Sequence, residues 1–467
     1  MILDTIKTEG LAALSYFLAD ERAGEAVVID PRRDVQAYLD LARRHGVRIT
    51  HVLETHTHAD HVSGARELCT LTNATVHAGP LADGEQYGYD VHVMQDGETL
   101  RVGSFTLRAL HTPGHAPEHV CFVLAGGGPG ADDEWGVFTG DTLLNGDVGR
   151  PDLGTGVRAE DAARALHASL QEKLLALPDG VLVYPGHGHG SACAARVGVR
   201  DCSTIGYERR HNPRLQHADA DAFTRALLAD LTPEPPFARR LKDLNRRGPG
   251  YLGTRPQTPW LAPLDFREAI QDPDAVVLDT REIEAYADAH IEGSLNIALR
   301  DAFPTWAAWM LVPHHNLYVI LDSSDHEEIV EQHLLRLGLE SIGGYLRGGM
   351  RGWIEAGLPW KAGGRMSVHE LHDKLTRNDD VQILDVRRPD EWAQGHIPGA
   401  RHAFLGELWE KLPHLDLNPQ RPLAVYCGSG YRSSMAVSLL ERQGFRDVRN
   451  VLGSTSAWKA AGFELEA

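Results

Sequence analysis

The chain has 467 residues, enough for about three domains at roughly 150 residues each. Apolar residues make up 42 % and charged residues 24 %, which excludes global disorder, and a formal net charge of −19 argues against wrapping nucleic acid or lying on an anionic membrane. The five cysteines (Cys69, Cys121, Cys193, Cys202 and Cys427) are too few, and odd in number, for a disulfide framework, and they fit a reducing cytosol. The 25 histidines raise the expectation of metal chemistry.

Residues 10–19 are apolar but far short of the roughly 18 consecutive residues a membrane span needs. Asp4 precedes them and Asp20, Glu21 and Arg22 follow, unlike a secretory leader. The expectation is a strand of a cytoplasmic protein. Residues 26–29 form a short β-branched run ending at Asp30. Val35, Tyr38, Leu39 and Ala42 carry helical spacing over 35–45. Residues 49–53 predict another strand, and strands alternating with helices argue for an α/β domain.

That strand runs into Thr55-His56-Thr57-His58-Ala59-Asp60-His61, four candidate ligands in six positions. Imidazole and carboxylate suit zinc, iron or manganese, and a strand–loop transition can aim alternate side chains at one point. Three further signals each close a predicted strand: His111-Thr112-Pro113-Gly114-His115, Thr139-Gly140-Asp141-Thr142, and Tyr184-Pro185-Gly186-His187. An amphipathic helix is predicted over 160–177 and a strand over 181–184.

This ordered set resembles the metallo-β-lactamase superfamily over residues 1 to about 230. The resemblance implies an αββα sandwich with a metal site at one sheet edge, but no single reaction. Two kinds of member compete. Glyoxalase-II-type thioesterases would recruit His56, His58 and His115 to one metal and Asp60, His61 and His187 to a second, with Asp141 bridging. Persulfide dioxygenases would bind one Fe(II) through His56, His115 and Asp141, leaving His58, Asp60, His61 and His187 to orient those ligands and shape the pocket. The segment 188–208 resembles the one that follows the last metal histidine in bacterial dioxygenases fused to sulfurtransferase domains. That likeness puts Cys193 near the iron and makes Tyr207 a substrate-proximal candidate; Ala194 stands where those proteins usually carry glycine. Cys69, Cys121 and Cys202 read as structural.

Residues 229–263 are rich in proline and glycine and read as a linker or capping segment. An internal repeat follows. Asp279-Thr280-Arg281 and His290-Ile291-Glu292-Gly293 recur as Asp385-Val386-Arg387 and His396-Ile397-Pro398-Gly399, at a constant offset of 106. In the second copy, residues 423–426 predict a strand ending in Cys427-Gly428-Ser429-Gly430-Tyr431-Arg432-Ser433, which opens a helix. Loop N–H groups and a helix N-terminus can stabilise a thiolate or persulfide anion, and Arg432 adds positive charge. The arrangement resembles the rhodanese sulfurtransferases, with Cys427 as nucleophile. Here Gly453-Ser454-Thr455 departs from the glycine-rich pattern usual before the last tryptophan, which predicts different packing near the loop. In the first copy the offset places Leu321 and His326 where Cys427 and Arg432 would be, so that copy is expected to be inert.

The sequence thus predicts a metallo-β-lactamase αββα domain over 1–245, a linker over 246–259, an inactive rhodanese-like α/β domain over 260–362 and an active one over 366–467. The resemblances imply a persulfide dioxygenase with one Fe(II) per chain. It would use O2 to oxidise a small thiol persulfide, of glutathione or coenzyme A, to sulfite, coupled to thiosulfate formation or use at Cys427. A homo-oligomer is expected, and no nucleic-acid or membrane partner. The alternatives are a zinc or binuclear thioesterase with an accessory rhodanese domain, and a sulfur carrier or persulfide sensor.

Overall fold

The strand Ala13–Asp20 is buried at every position because both its faces are covered. Leu14, Tyr16 and Leu18 enter one core, and Phe17 and Ala19 enter another. This is the signature of a middle layer, and the computed structural model shows one. It describes residues 1–466 except 83, 128–132, 155, 192, 193, 195, 218 and 254–256. The chain divides into two compact units, 1–255 with 332–338, and 256–331 with 339–467.

In the first unit, two six-stranded sheets face each other. One runs in the order Ile2–Thr8, Ala13–Asp20, Glu25–Ile29, Arg48–Leu53, Thr75–Ala78, His92–Val93; the other runs Ser203–Thr204, Leu182–Pro185, Glu134–Gly140, Val120–Gly126, Phe105–His111, Thr99–Val102. Leu18, Val27 and Leu53 from the first sheet meet Phe105, Phe122 and Phe138 from the second. The helices Gln36–His45 and Ala65–Thr72 cover the outside of the first sheet. The helices Ala159–Ser169 and Ala220–Ala229 cover the outside of the second. The layers are therefore αββα, as expected. The helix predicted over 160–177 begins where expected, and Leu170–Leu174 continues it as a π-helical turn.

One expectation needs revising. The proline- and glycine-rich stretch holds a ten-residue helix, Ala238–Arg247, which overlaps the start of the predicted linker. Asn245 on this helix donates to the carbonyls of His58 and His61 and accepts from the Ser63 N–H. The helix thereby clamps the histidine loop.

In the second unit, each copy of the repeat builds a five-stranded parallel sheet. The strand orders match: Trp260–Leu261, Ile342–Leu346, Asn316–Ile320, Ala275–Asp279, Leu295–Asn296, and Gly364–Met366, Val448–Val451, Leu423–Tyr426, Gln382–Asp385, Arg401–His402. The shared motifs have shared jobs. Arg281 pairs with Asp279 at 2.6 Å, and Arg387 with Asp385 at 2.6 Å. Trp353 and Trp458 each donate an indole N–H to a carbonyl six residues ahead, of Pro359 and Glu464.

The first copy also braces the second. Asn296 donates to the carbonyls of Asp279 and Arg281 and accepts from the Ser434 hydroxyl at 2.8 Å. The Tyr431 hydroxyl donates to the Ala298 carbonyl at 2.9 Å. Both contacts end on the helix Tyr431–Arg442, which opens from the Cys427 loop. Asn296→Ala strands two buried polar groups, the Arg281 carbonyl and the Ser434 hydroxyl, while the Asp279 carbonyl keeps the Ile297 N–H, an expected loss of about 2 kcal/mol. Urea unfolding followed by tryptophan fluorescence reads this unit, since only Trp135 precedes residue 260, and its midpoint should fall.

Candidate active sites

Three strands of the second sheet, Phe105–His111, Glu134–Gly140 and Leu182–Pro185, run in one direction and end at one edge. Their exits carry His115, Asp141 and His187. The loop after Arg48–Leu53 reaches the same edge, where the Val120 N–H donates to the Thr55 carbonyl. Two glycines make the approach feasible. Gly140 has φ +47°, and a Cβ there would lie 2.6 Å from Thr55 and His119. A Cβ on Gly149 would lie 2.2 Å from the Asp141 carbonyl.

His56 Nε2, His115 Nε2 and Asp141 Oδ2 are buried and have no hydrogen-bond partner among the described residues. They face one another, with Asp141 Oδ2 3.9 Å from His56 Nε2 and 3.6 Å from His115 Nε2. Polar atoms are rarely left bare in a protein interior, so three converging ones fit a cation. The surrounding hydrogen bonds set the tautomers. The Thr55 hydroxyl donates to Asp30, so it accepts from His56 Nδ1. His115 Nδ1 donates to the Arg150 carbonyl at 2.9 Å. Both Nε2 lone pairs are thereby free to bind metal. Burial holds the pKa of His56 well below the ordinary range and that of His115 down to about 4, which keeps both neutral.

Of the other predicted ligands, His58 Nε2 and His61 Nε2 are likewise buried without a hydrogen-bond partner among the described residues, but His187 is engaged on both sides. His187 lies between two carboxylates, with Nδ1 2.6 Å from Asp141 Oδ1 and Nε2 2.8 Å from Asp60 Oδ2. Burial opposes its charge, but Asp141 and Asp60 outweigh it and carry its pKa up to about 10. His58 Nε2 lies 3.3 Å from Asp30 and 3.4 Å from Glu54. His58, Asp60 and His61 still offer ligand atoms within 4.8 Å of one another, a second group with metal-binding spacing.

The Cys427 site is built on the same logic of strand end and helix start. Leu423–Tyr426 is fully buried, and Cys427 follows it. Gly430 N–H points at the sulfur at 3.2 Å and the Ser433 hydroxyl at 3.4 Å. Arg432 is held by both oxygens of Glu391, at 2.5 and 2.7 Å. Burial pushes the thiol up, but Arg432 and the Ser433 and Gly430 hydrogen bonds outweigh it, so Cys427 titrates below the ordinary thiol range. Ser454, where the pattern departs, sits behind the nucleophile. Its hydroxyl accepts from the Cys427 N–H at 3.0 Å.

The sequence model of the metallo-β-lactamase superfamily matches residues 8–187, and that of the rhodanese-like domain matches 262–356 and 367–461. The human mitochondrial persulfide dioxygenase ETHE1 is 36 % identical over 207 residues, which are 43 % of this chain and 70 % of that protein. The chain belongs to the metallo-β-lactamase superfamily. A hydroxyacylglutathione hydrolase of Polaromonas is also 36 % identical, over 40 % of this chain and 67 % of that protein. The crystal structure of a metallo-β-lactamase from Staphylococcus aureus aligns over 74 % of this chain and 98 % of its own, with 31 % identity and a TM-score of 0.67. The protein is an enzyme that joins a homologue of persulfide dioxygenases to two rhodanese-like domains.

Within the metallo-β-lactamase domain, Tyr207 does not join the metal group. It is 39 % exposed on the helix Ile205–His211, its ring covered by the Arg200 guanidinium at 4.0 Å. Cys193 lies outside the described residues. Cys121 is buried and Cys69 half-buried, but Cys202 is exposed, so burial does not support a structural role for it. In the first rhodanese-like domain, Leu321 occupies the nucleophile position and the loop holds no thiol.

Three functional candidates escaped the motif reading. His119 stacks on His56 and accepts from the Asp141 N–H; its four-residue spacing from His115 was a usable signal. Glu118 and Lys242 are both buried near the histidines. Lys242 had no signal, because it sits on the helix hidden in the proline-rich stretch.

A pH profile tests the Cys427 site. Sulfurtransfer from thiosulfate should persist below the usual thiol pKa of about 8.5, and fall only as pH drops through the lower Cys427 value and the thiolate is protonated. Arg432→Gln removes the largest charge-stabilising contribution. It should move this acid limb to higher pH, as read from kcat/KM against pH.

Proposed function

We propose that the protein is a persulfide dioxygenase coupled to a rhodanese sulfurtransferase, and that it removes sulfide-derived persulfide in the cytosol. One observation carries this reading. His56, His115 and Asp141 present three bare ligand atoms to one another; His58 and His61 also carry bare ring nitrogens, but His187, which a second metal would require, has both of its ring nitrogens on carboxylates. Two imidazoles and one carboxylate on one side of a metal are the donor set of mononuclear iron oxygenases.

His56, His115 and Asp141 would hold one Fe(II) per chain. Iron bound there supplies the redox chemistry by which O2 oxidises a persulfide sulfur. The chain does the rest. Asp30 through Thr55, and the Arg150 carbonyl, orient the two histidines; His187 orients Asp141 and keeps a proton beside it. The ligand atoms are fully buried, which excludes bulk water from them. The overall change is persulfide plus O2 plus water to thiol plus sulfite.

At the second site the Cys427 thiolate attacks the outer sulfur of a persulfide. The old S–S bond breaks and releases the carrier thiol. Sulfite then attacks the outer sulfur of the Cys427 persulfide, and thiosulfate leaves as the thiolate is restored. The Gly430 N–H and the Ser433 hydroxyl hold the negative sulfur. The reverse run makes persulfide from thiosulfate and thiol. Fusion in one chain raises the effective concentration of the sulfite that the two sites share.

Product analysis separates this reading from a thioesterase, which the hydrolase relatives and the His58, Asp60 and His61 group favour. The iron-loaded protein is expected to consume O2 with glutathione persulfide, yielding sulfite and thiosulfate, and to leave S-lactoylglutathione intact. Thioester cleavage without O2 uptake would contradict it.

A further inference from the structure

The loop that carries His56 must also be closed at its far end. After His61 it runs through Val62, Ser63 and Gly64 into the helix Ala65–Thr72. Val62 is fully buried, so its N–H needs an acceptor inside the protein. It donates to the Arg336 carbonyl at 2.7 Å. Arg336 ends the helix Glu327–Arg336, and the last carbonyls of a helix have no partner within it. The Val62 N–H is therefore the donor this carbonyl needs. The next carbonyl, of Leu337, accepts from both terminal nitrogens of Arg240, at 3.1 and 3.2 Å. Arg240 belongs to the helix Ala238–Arg247, whose Asn245 already holds the His58 and His61 carbonyls. Gly338 turns the chain away with φ +68°, and a Cβ there would lie 3.3 Å from the Val62 side chain.

The Arg336 side chain completes a ring of contacts. It is 4 % exposed, and its Nε and Nη2 each lie 2.7 Å from one oxygen of Asp34. Asp34 also takes Arg32 Nε at 3.0 Å. The stretch before Asp34 grips the histidine loop twice. Asp30 accepts from the Thr55 N–H and hydroxyl, and the Pro31 carbonyl accepts from the Gly64 N–H at 2.8 Å. Residues 30–34 thus hold the entry and the exit of the loop, and Arg336 ties them to Val62. All these contacts lie within the first compact unit, to which residues 332–338 belong. By sequence the same residues fall inside the first rhodanese-like match, 262–356.

We propose that residues 336–338, from the copy without a nucleophile, are a strap for the metal centre, with Arg336 as the positioning residue that fixes the histidine loop and so the placement of His56. That copy then has a task that needs no thiol. The proposal rests on the reading of His56, His115 and Asp141 as metal ligands, and not on the reaction at the metal. Without the pair to Asp34 the helix end is free to shift, and the Val62 N–H loses its acceptor. The loop that bears His56 is then anchored at one point fewer.

Co(II) binding to the full chain stripped of metal tests the strap without turnover. Affinity is read by competition with a chelator, and the visible spectrum of Co(II) reports ligand geometry. Arg336→Met and Asp34→Asn are each expected to weaken Co(II) binding about tenfold or more and to change the spectrum. The double variant should lose no more than either single one, because both break the same contact. Arg336→Lys keeps the charge but not the two-pronged grip, and should fall between Arg336→Met and the wild type. Sulfurtransfer at Cys427 should stay within about twofold of the wild type throughout. Asp34→Asn and Arg336→Lys are the milder changes and carry the test if Arg336→Met does not fold. Wild-type affinity and spectrum in Asp34→Asn and the Arg336 variants would overturn the proposal. So would an equal loss of Co(II) binding and sulfurtransfer, since a segment that only supports the fold would fail at both sites. Wild-type Co(II) binding in Asp141→Asn would overturn the ligand reading, and the strap with it.

Discussion

Asp141→Asn is expected to abolish persulfide-dependent O2 uptake while leaving thiosulfate sulfurtransfer at Cys427 within about twofold of the wild type. Asp141 is the one carboxylate in the bare-ligand group, and its two oxygens have separate tasks: Oδ2 faces His56 and His115, and Oδ1 accepts from His187. Asparagine preserves the shape and can still accept from His187, but it removes the negative charge that holds a divalent cation. Loss of a group that only orients a metal ligand costs roughly 10- to 100-fold in metal affinity or activity. Loss of a ligand itself should exceed that. Iron per chain and O2 uptake should therefore fall together. Alanine is the poorer test, because it leaves the buried His187 cation short of one partner, a cost of about 3–5 kcal/mol. Iron content unchanged in Asp141→Asn would remove this residue from the ligand set.

Cys427→Ser is expected to lower sulfurtransfer at least about 10³-fold, since a hydroxyl at this position neither ionises near neutral pH nor carries a persulfide. The substitution is nearly isosteric, and the Gly430 N–H and Ser433 hydroxyl that reach the sulfur can reach an oxygen. Folding should be preserved. The informative readout is the product at the other site. Oxygen uptake with a small persulfide should continue, but sulfite should accumulate in place of thiosulfate. Thiosulfate still forming at the wild-type rate would mean that another group carries the sulfur.

Much of this was legible in the sequence for identifiable reasons. His56, His115 and Asp141 each follow a strand end, and parallel strands deliver their exits to a common edge, so the spacing implied convergence before any contact was seen. The repeat at offset 106 was equally informative, because Asp279–Arg281 and Asp385–Arg387 do the same local job in each copy. Cys427 declared itself by its glycine-rich loop between a buried strand and a helix.

Other parts depended on long-range packing that no local pattern records. Asn245 lies on a helix inside a stretch whose prolines and glycines signal a linker, yet it reaches the histidine loop some 185 residues earlier. The orientation of His187 is likewise set by two carboxylates distant in sequence, so ligand identity alone could not separate one metal from two. Tyr207 was placed near the substrate by the resemblance of its segment, but the turn that begins at Thr204 carries it to the surface. Ser454 stood out only as a departure from a pattern. In the fold it holds the backbone of Cys427.

The most direct test of the central claim is the metal content of anaerobically purified protein, measured together with O2 uptake on adding glutathione persulfide. The account predicts about one iron per chain and O2 consumed in step with persulfide, with sulfite or thiosulfate appearing. About two metals per chain, no O2 uptake and cleavage of a glutathione thioester would contradict it and assign His58, Asp60, His61 and His187 to a second metal.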